Sequence, residues 1–435
     1  MPTAAFYTLG CKVNQTESFS MMGAFAEAGF TILPPEEIAD VYIVNSCTVT
    51  ATGDKKSLQA LRRFRRRAPG AVIVLCGCLP QAFPEKAEEL PEADLVMGSK
   101  NRNAVLAGVL DLLAGKTRQR VEIPPHRADE PFEQIATPAP TGRTRAFLKI
   151  QDGCERNCAY CVIPKARGPV RSKPPQEIER ELIALAAGGY AEVVLTGVNL
   201  SCYGQDLGLR LSDAVELACK ADGISRLRLG SLEPDLVNEE DFTRWAKAGA
   251  GKLCPQFHLS LQSGCDYTLQ AMNRRYTTGD YRRTVAALRK SFPGAALTTD
   301  LMVGFPGETQ RDHEESMVFL REIGFAKAHI FAHSPRPGTP AATMPDQLPG
   351  GIAARRAKEM ADLAQAAGLL FLHTRLGTTQ SVLFESKGKD GLYHGYTPCY
   401  TPVYTRSQED IRGKILPVRL TGLHKDGCSG MLDFC

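Results

Sequence analysis

The sequence predicts an α/β protein in three parts. An N-terminal parallel-sheet (Rossmann-like) domain spans residues 1–120, a partial (β/α)6 barrel spans 145–372, and a small C-terminal β-barrel spans 373–435, with a linker at 121–144. Three observations carry this reading. Strand-like and helix-like stretches alternate through the first 120 residues, the pattern of a parallel sheet. A second alternation, six units long, begins at Arg145 after a proline-bearing stretch, and six such units make an incomplete parallel barrel. Past about His373 the helical period gives way to short β segments broken by Gly and Pro.

In the first part, Ala4–Leu9, Val41–Asn45, Ala71–Leu75 and Leu95–Met97 read as strands. Helices are expected near Glu17–Ala28, from about Asp54, at Pro84–Leu90 and at Arg102–Leu113. Cys11, Cys47 and Cys78 each fall just past the end of one of the first three strands. In a parallel sheet those ends gather at one edge, where ligands bind, so three distant thiols can converge on one site. Taken singly, each reads equally as a small buried apolar residue. Cys76, two residues before Cys78, reads as structural. The helix after Cys47 carries Lys55, Lys56, Arg62, Arg63, Arg65, Arg66 and Arg67 with no acid between Lys55 and Arg67. Such a run is either a solvated face or a phosphate-binding one. Pro124, Pro125, Pro131, Pro138 and Pro140 mark the linker.

In the second part, strands are expected near Phe147 and at Glu192–Thr196, Arg226–Leu229, Phe257–Ser260, Leu297–Val303 and Lys327–Phe331. The first is followed by Cys154, Cys158 and Cys161 in the spacing C-x3-C-x2-C. Three thiolates on one tight loop can hold three irons of a [4Fe–4S] cluster and leave the fourth iron open to a small molecule. A zinc knuckle wants a fourth Cys or His close by, and the nearest histidines are His126 and His258. Barrel active sites lie at the C-terminal strand ends. The cofactor-binding set expected there is Thr196, Gly197, Glu233, Arg275 (or its neighbour Arg274) and Gly304. Glycines let a backbone approach a ligand closely, and at strand ends they are also plain turn residues. Asp152 and Gln262-Ser263-Gly264 read equally as substrate-side residues or as core and turn residues.

Of the 435 residues, 43% are hydrophobic and 23% charged, an ordinary globular balance. No apolar run approaches the ~20 residues of a membrane span, and MPTAAFYTLGCK has no charged head before an apolar core. The expectation is a cytoplasmic protein with no membrane partner. Fourteen cysteines in a chain this long fit a reducing compartment. A net charge of +4 is too mild to point to nucleic acid by itself. From His373 onward the chain has 8 Lys and Arg against 6 Asp and Glu, with Tyr393, Tyr396, Tyr400 and Tyr404 available for stacking. Small β-barrels of this size commonly bind nucleic acid.

The stretch RAFLKIQDGCERNCAYCVIPKARG resembles the signature of the radical S-adenosylmethionine (SAM) enzymes. QDGC before the triad and IPKARG after it are similar to the methylthiotransferase family, with Lys165 where that family usually has an aromatic residue. LGCKVNQTES, NSCTVTATGDKKS and GCLPQ resemble the family's three N-terminal ligand segments. The tail resembles its TRAM domain, and GYTPCY looks closest to the threonylcarbamoyladenosine branch. The resemblance implies two [4Fe–4S] clusters, one on Cys154, Cys158 and Cys161 and one on Cys11, Cys47 and Cys78, with SAM on the open iron of the first. It further implies methylthiolation at C2 of N6-threonylcarbamoyladenosine 37 in the tRNA anticodon stem-loop, with electrons from a flavodoxin- or ferredoxin-type donor. Alternatives in the same class are another modified adenosine of tRNA, or an aspartate of a ribosomal protein. Outside it stands a zinc or iron–sulfur RNA-binding protein without catalysis.

Overall fold

The computed structural model describes residues 1–87, 89–116, 120–134 and 144–433. The N-terminal domain contains strands β1 (Thr3–Thr8), β2 (Thr31–Leu33), β3 (Val41–Ser46), β4 (Val72–Gly77), β5 (Leu95–Met97) and β6 (Arg120–Glu122). Its helices are α1 (Lys12–Glu27), α2 (Ala51–Arg67), α3 (Cys78–Ala82), α4 (Pro84–Ala87) and α5 (Asn103–Leu113). The strands form one parallel sheet in the order β2-β1-β3-β4-β5-β6. Apolar residues fill both faces of β3 because each face has its own cover, as buried parallel strands require. Val41 and Ile43 pack with Met21 and Phe25 of α1 and Val109 of α5, while Tyr42 and Val44 pack with Leu61 and Phe64 of α2.

The expected linker is partly a packed strap. Its first residues close the sheet as β6, which pairs with β5. Phe132 lies between the ammonium groups of Lys149 and Lys173, 5.5 Å from each. Glu133 pairs with Arg102 at 2.5 Å, and Glu130 with Arg171 at 2.6 Å. These partners bind the strap to both neighbouring domains. Pro138 and Pro140 lie outside the described residues.

The central domain runs through β7 (Arg145–Asp152), α6 (Ile163–Arg167), β8 (Arg171–Ser172), α7 (Pro175–Ala187), β9 (Glu192–Gly197), α8 (Leu211–Lys220), β10 (Arg226–Leu229), β11 (Ser231–Leu232), α9 (Glu239–Ala248) and β12 (Gln256–Leu259). It continues with α10 (Asp266–Ala271), α11 (Thr278–Ser291), β13 (Ala296–Val303), α12 (Gln310–Ile323), β14 (Lys327–Ala332) and α13 (Gly350–His373). Two sheets, β10-β9-β7-β8 and β11-β12-β13-β14, curve into an open partial barrel. Along its parallel strands apolar and polar residues alternate. Leu148, Val193, Leu195, Leu227, Phe257, Leu259, Leu297 and Leu301 enter the core beneath the helices. The residues between them, including Glu192, Arg228, Gln256, His258, Thr298 and Asp300, face the lumen, which is therefore polar.

The last domain is a closed barrel, β15-β16-β17-β19-β18, made of β15 (Thr379–Lys387), β16 (Tyr393–Tyr396), β17 (Pro402–Thr405), β18 (Ile415–His424) and β19 (Gly427–Leu432). It caps the N-terminal end of the partial barrel. Arg226 donates to the carbonyls of Tyr396 (3.1 Å) and Ser381 (2.6 Å), and Arg228 to that of Pro398 (2.9 Å). Arg145, at the start of β7, pairs with Glu385 at 2.6 Å. The fold class read from the sequence is thus the one observed. No helix among the described residues is long and apolar enough to cross a membrane.

Candidate active site

The first cysteine set is assembled by the strand ends. Asn14, in the first turn of α1, donates to the carbonyls of Leu9 (2.9 Å) and Ser46 (2.8 Å), which fixes the Cys11 loop to the end of β3. Ser46 donates to the carbonyl of Cys76 (2.6 Å) and accepts from the Leu79 N–H (3.1 Å), fixing the start of α3 where Cys78 sits. Gly10, at φ +96°, makes the turn; a Cβ there would lie 2.8 Å from the Cys47 sulfur. A side chain would therefore fill the space beside that thiol. Cys47 and Cys78 are buried and Cys11 is exposed, so the set opens outward on one side. Burial pushes the Cys47 thiol up to about 12, helped by neighbouring Cys78 and Cys11. Cys76 points into the sheet core with Phe6 and Met97, as its position inside a strand predicts.

The second set lies on the loop after β7. Gly153, at φ +75°, allows the turn into Cys154; a Cβ there would stand 1.7 Å from the Pro169 carbonyl oxygen. The loop is clamped by backbone bonds from the Cys154 N–H to Gly168 (3.0 Å) and from the Ala159 N–H to Met272 (2.9 Å). Gln151 holds its base, donating to the carbonyls of Asp152 and Gly153 and accepting from the Asn199 N–H. Burial pushes the Cys161 thiol up to about 12.

The two triads share one device. Arg167 Nε donates to Cys78 Sγ at 3.2 Å, and Arg274 Nη1 to Cys158 Sγ at 3.2 Å. At Cys78 burial pushes the thiol up and the Arg167 guanidinium opposes it. Neither triad has its three sulfurs within 4.8 Å of one another; among the described residues that spacing occurs only at Cys265, Asp312 and Glu315. Four ligands around one zinc stand roughly 3.8 Å apart, from Zn–S bonds of about 2.3 Å. Beside Cys154, Asn199 donates to its sulfur (3.7 Å) and keeps a buried Oδ1 with no donor among the described residues. Gln262 Oε1 is in the same condition, on a residue held at φ +68°. Buried acceptors of this kind ordinarily have a donor, so both oxygens are available to one.

The structure sorts the other expected residues. Arg275 has an exposed side chain, and Arg274 takes the site instead, buried between Cys158 and Glu233. Gly304 is glycine for packing: a Cβ there would meet Ala353 of α13 at 2.7 Å, and its N–H is taken by Glu308. Gly197 leaves room for the Gln151 side chain, 2.7 Å from where its Cβ would be, and Thr196 is buried at the end of β9. Glu233 faces Arg274, with burial pushing its carboxyl above the ordinary carboxylate range. Asp152 lies in a buried ion network, 2.5 Å from Lys149 and 3.4 Å from Arg167, so it does not face a substrate.

That network joins the two sites. Glu17 of α1 receives Arg167 (2.6 Å), Lys149 (2.8 Å) and Arg102 (2.9 Å), all buried. Alongside it, α3 packs on α6 through Cys78, Leu79, Phe83, Val162 and Ala166. Lys165 lies 4.8 Å from the Phe83 ring, so a cation covers the place of the usual aromatic. Arg336, after β14, donates to Thr48 Oγ1 (2.7 Å) beside Cys47. Glu17 lies within LGCKVNQTES but nothing there singles it out, and Arg102 and Arg336 carry no motif of their own in the sequence.

On the outer side of α2 the basic run divides. Arg65 pairs with Asp94 (2.5 Å) and Arg62 with Glu92 (3.2 Å). Lys56, Arg63 and Arg66, with Arg62 at its side, line an open basic hollow of about 420 Å³ with Tyr7 and Gln59. In the C-terminal barrel, Tyr393 belongs to the core and Tyr396 stacks on Tyr400 at 4.6 Å. Tyr404 packs edge-on against His424, its hydroxyl donating to Asp426.

A partial barrel with an open cysteine triad at its C-terminal mouth defines a radical SAM enzyme, and the Radical SAM superfamily profile matches residues 148–320. The profile of the uncharacterized protein family UPF0004 matches residues 3–98. The chain is 36% identical to threonylcarbamoyladenosine tRNA methylthiotransferase MtaB of Bacillus subtilis, over 97% of this chain and 94% of that one. It is 36% identical to the MtaB of Thermotoga maritima, over 98% and 96%. To the tRNA-2-methylthio-N(6)-dimethylallyladenosine synthase of Pelotomaculum thermopropionicum it is 33% identical, over 98% and 96%. The chain belongs to the radical SAM methylthiotransferases. Among solved structures, the radical SAM methyltransferase TsrM of Kitasatospora setae shares the fold, with a TM-score of 0.58 over 78% of this chain and 77% of that one, at 15% identity.

Proposed function

We propose that the chain methylthiolates C2 of N6-threonylcarbamoyladenosine 37 in tRNA, holding one [4Fe–4S] cluster on Cys154, Cys158 and Cys161 and a second on Cys11, Cys47 and Cys78. The observation that carries this is the packing of two open cysteine triads of different domains across one interface, α3 on α6. Bound there, the first cluster with SAM supplies the radical and the second the sulfur. The protein's own part is positional. Arg274 and Asn199 hold the SAM-side sulfurs, Arg167 holds Cys78, and Gln151 fixes the loop between them. Electrons come from a flavodoxin- or ferredoxin-type donor. The threonylcarbamoyl specificity rests on the names of relatives at 36% identity. Nucleoside mass spectrometry of tRNA from cells with and without the gene tests it. Loss of the 2-methylthio form of threonylcarbamoyladenosine is expected; loss of a different methylthio nucleoside, or of none, overturns it.

The basic hollow on α2 is placed to meet RNA phosphates. Changing Lys56, Arg63 and Arg66 to Gln is expected to weaken tRNA binding and to lower the slope of log affinity against log salt by about 2. An unchanged slope returns this face to solvent. Arg65 is left out of the test because its pair with Asp94 anchors the start of β4.

A further inference from the structure

Lys12 follows Cys11 directly and opens α1, yet its side chain leaves the N-terminal domain for the lumen of the partial barrel. Its ammonium lies 5.9 Å from the ring centroid of Phe147, on the lumen face of β7. Solvent reaches it, but protein rings it. Arg228, Arg145 and Glu192 are near enough for their charges to act on it, and its own charge is felt at His329 on β14, across the opening. The other deep cations of this chamber are matched: Arg228 by Glu192 (2.8 Å) and Arg145 by Glu385 (2.6 Å). Both of these guanidiniums also lie against the Tyr400 ring, at 4.6 and 4.9 Å, and form the chamber floor. Among the described residues the Lys12 ammonium has no hydrogen-bond or ion-pair partner.

Apart from the Phe147 and Tyr400 rings, the chamber presents polar side chains. Thr298 Oγ1 meets His258 Nδ1 (3.1 Å) and Gln256 Nε2 (3.2 Å), and Asp300 lies 3.4 Å from His258 Nε2. An apolar substituent in such a chamber would strip water from these groups and return nothing. A substituent with an anionic end and further hydrogen-bonding groups would satisfy them.

We propose that this chamber takes the N6 substituent of the substrate adenine and that Lys12 recognises the carboxylate at its end. The assignment rests on the adenosine reading above and deepens it. It makes Lys12 the specificity residue that separates an amino-acid-bearing adenine from an alkyl-bearing one. Sites built to pair a polar group discriminate strongly against analogues that lack it, whereas apolar pockets discriminate weakly. Placing the reader next to Cys11 ties recognition of the substituent to the cluster that delivers sulfur to the same base.

The test uses the reconstituted holoenzyme and two anticodon stem-loops, one with the threonylcarbamoyl carboxylate free and one with it converted to the neutral methylamide. Wild type is expected to bind the acid about tenfold more tightly than the amide, the gain from one charge-assisted contact. Lys12→Gln should abolish that ratio and raise KM for the acid with little change in kcat, and Lys12→Arg should restore much of it. Equal binding of acid and amide by wild type, or a Lys12→Gln enzyme that keeps the ratio, overturns the role of Lys12. The wild-type comparison decides even if the variant folds badly. A wild-type enzyme that methylthiolates only an alkyl-substituted adenosine overturns the substrate reading itself, a separate and recognisable result.

Discussion

Cys158→Ala is expected to yield a protein that no longer cleaves SAM, while Cys47→Ala still releases 5′-deoxyadenosine yet transfers no methylthio group. The two residues lie in different domains, on a β7 loop and at the end of β3, and each belongs to a separate sulfur triangle. Losing one ligand of three leaves a cluster held by two thiolates, so each variant should retain about four of roughly eight irons. Measuring iron, 5′-deoxyadenosine and modified nucleoside on the same samples separates the two outcomes. A Cys47→Ala enzyme that still methylthiolates RNA removes the N-terminal triad from the chemistry. Equal loss of SAM cleavage in both variants would show that the triads do not act independently.

Arg167→Met should cost more stability than any surface substitution, about 3–5 kcal/mol, because it leaves buried carboxylates without their principal partner. The guanidinium of Arg167 serves Glu17 on one domain, Asp152 on another, and Asn14 and Cys78 at the seam. Differential denaturation of the iron-free proteins reads the loss directly; a change under about 1 kcal/mol would mean that Lys149 and Arg102 carry the network alone. The same cluster predicts acid sensitivity. Burial pushes Glu17 up, but Arg102, Arg167 and Lys149 outweigh it and hold the carboxyl at about 2, below its ordinary 4.5. A depressed carboxylate stabilises the fold fully above its unfolded value, and this contribution fades as pH falls from 4.5 toward 2. Glu17→Gln should flatten that acid limb.

The cysteine triads could be read in the sequence because each leaves a local trace: three thiols on one short loop, or one thiol after each of three strand patterns. The alternation of strand-like and helix-like stretches was equally plain, which is why the architecture followed. The polar residues that alternate with apolar ones along the barrel strands, as in Gln256-Phe257-His258-Leu259, showed as a hydrophilic lumen only once the strands were seen to curve. The arginines were another matter. Arg274 and Arg275 are adjacent, and only the turn after α10 decides which enters the site. Glu17 and Arg167 meet across 150 positions, and a charged residue seen alone looks solvated. The strap after β6 misled for a related reason: its prolines read as slack, while Phe132 and Glu130 find partners on segments that a linear reading does not bring near.

The seam of buried charge also limits how this enzyme can be recombined. Half of its partners, Asn14, Glu17 and Arg102, are encoded in the first domain, and half, Lys149, Asp152 and Arg167, in the second. Glu17 has a partner of its own domain in Arg102, but Lys149 and Arg167 have only Asp152 between them in theirs and reach across to Glu17 for the rest. A chimera that exchanges the N-terminal domain with that of a paralogue inherits only one side of the lock. Such grafts should work only when all of these residues travel together, so that the two domains behave as one heritable unit despite being separately folded sheets.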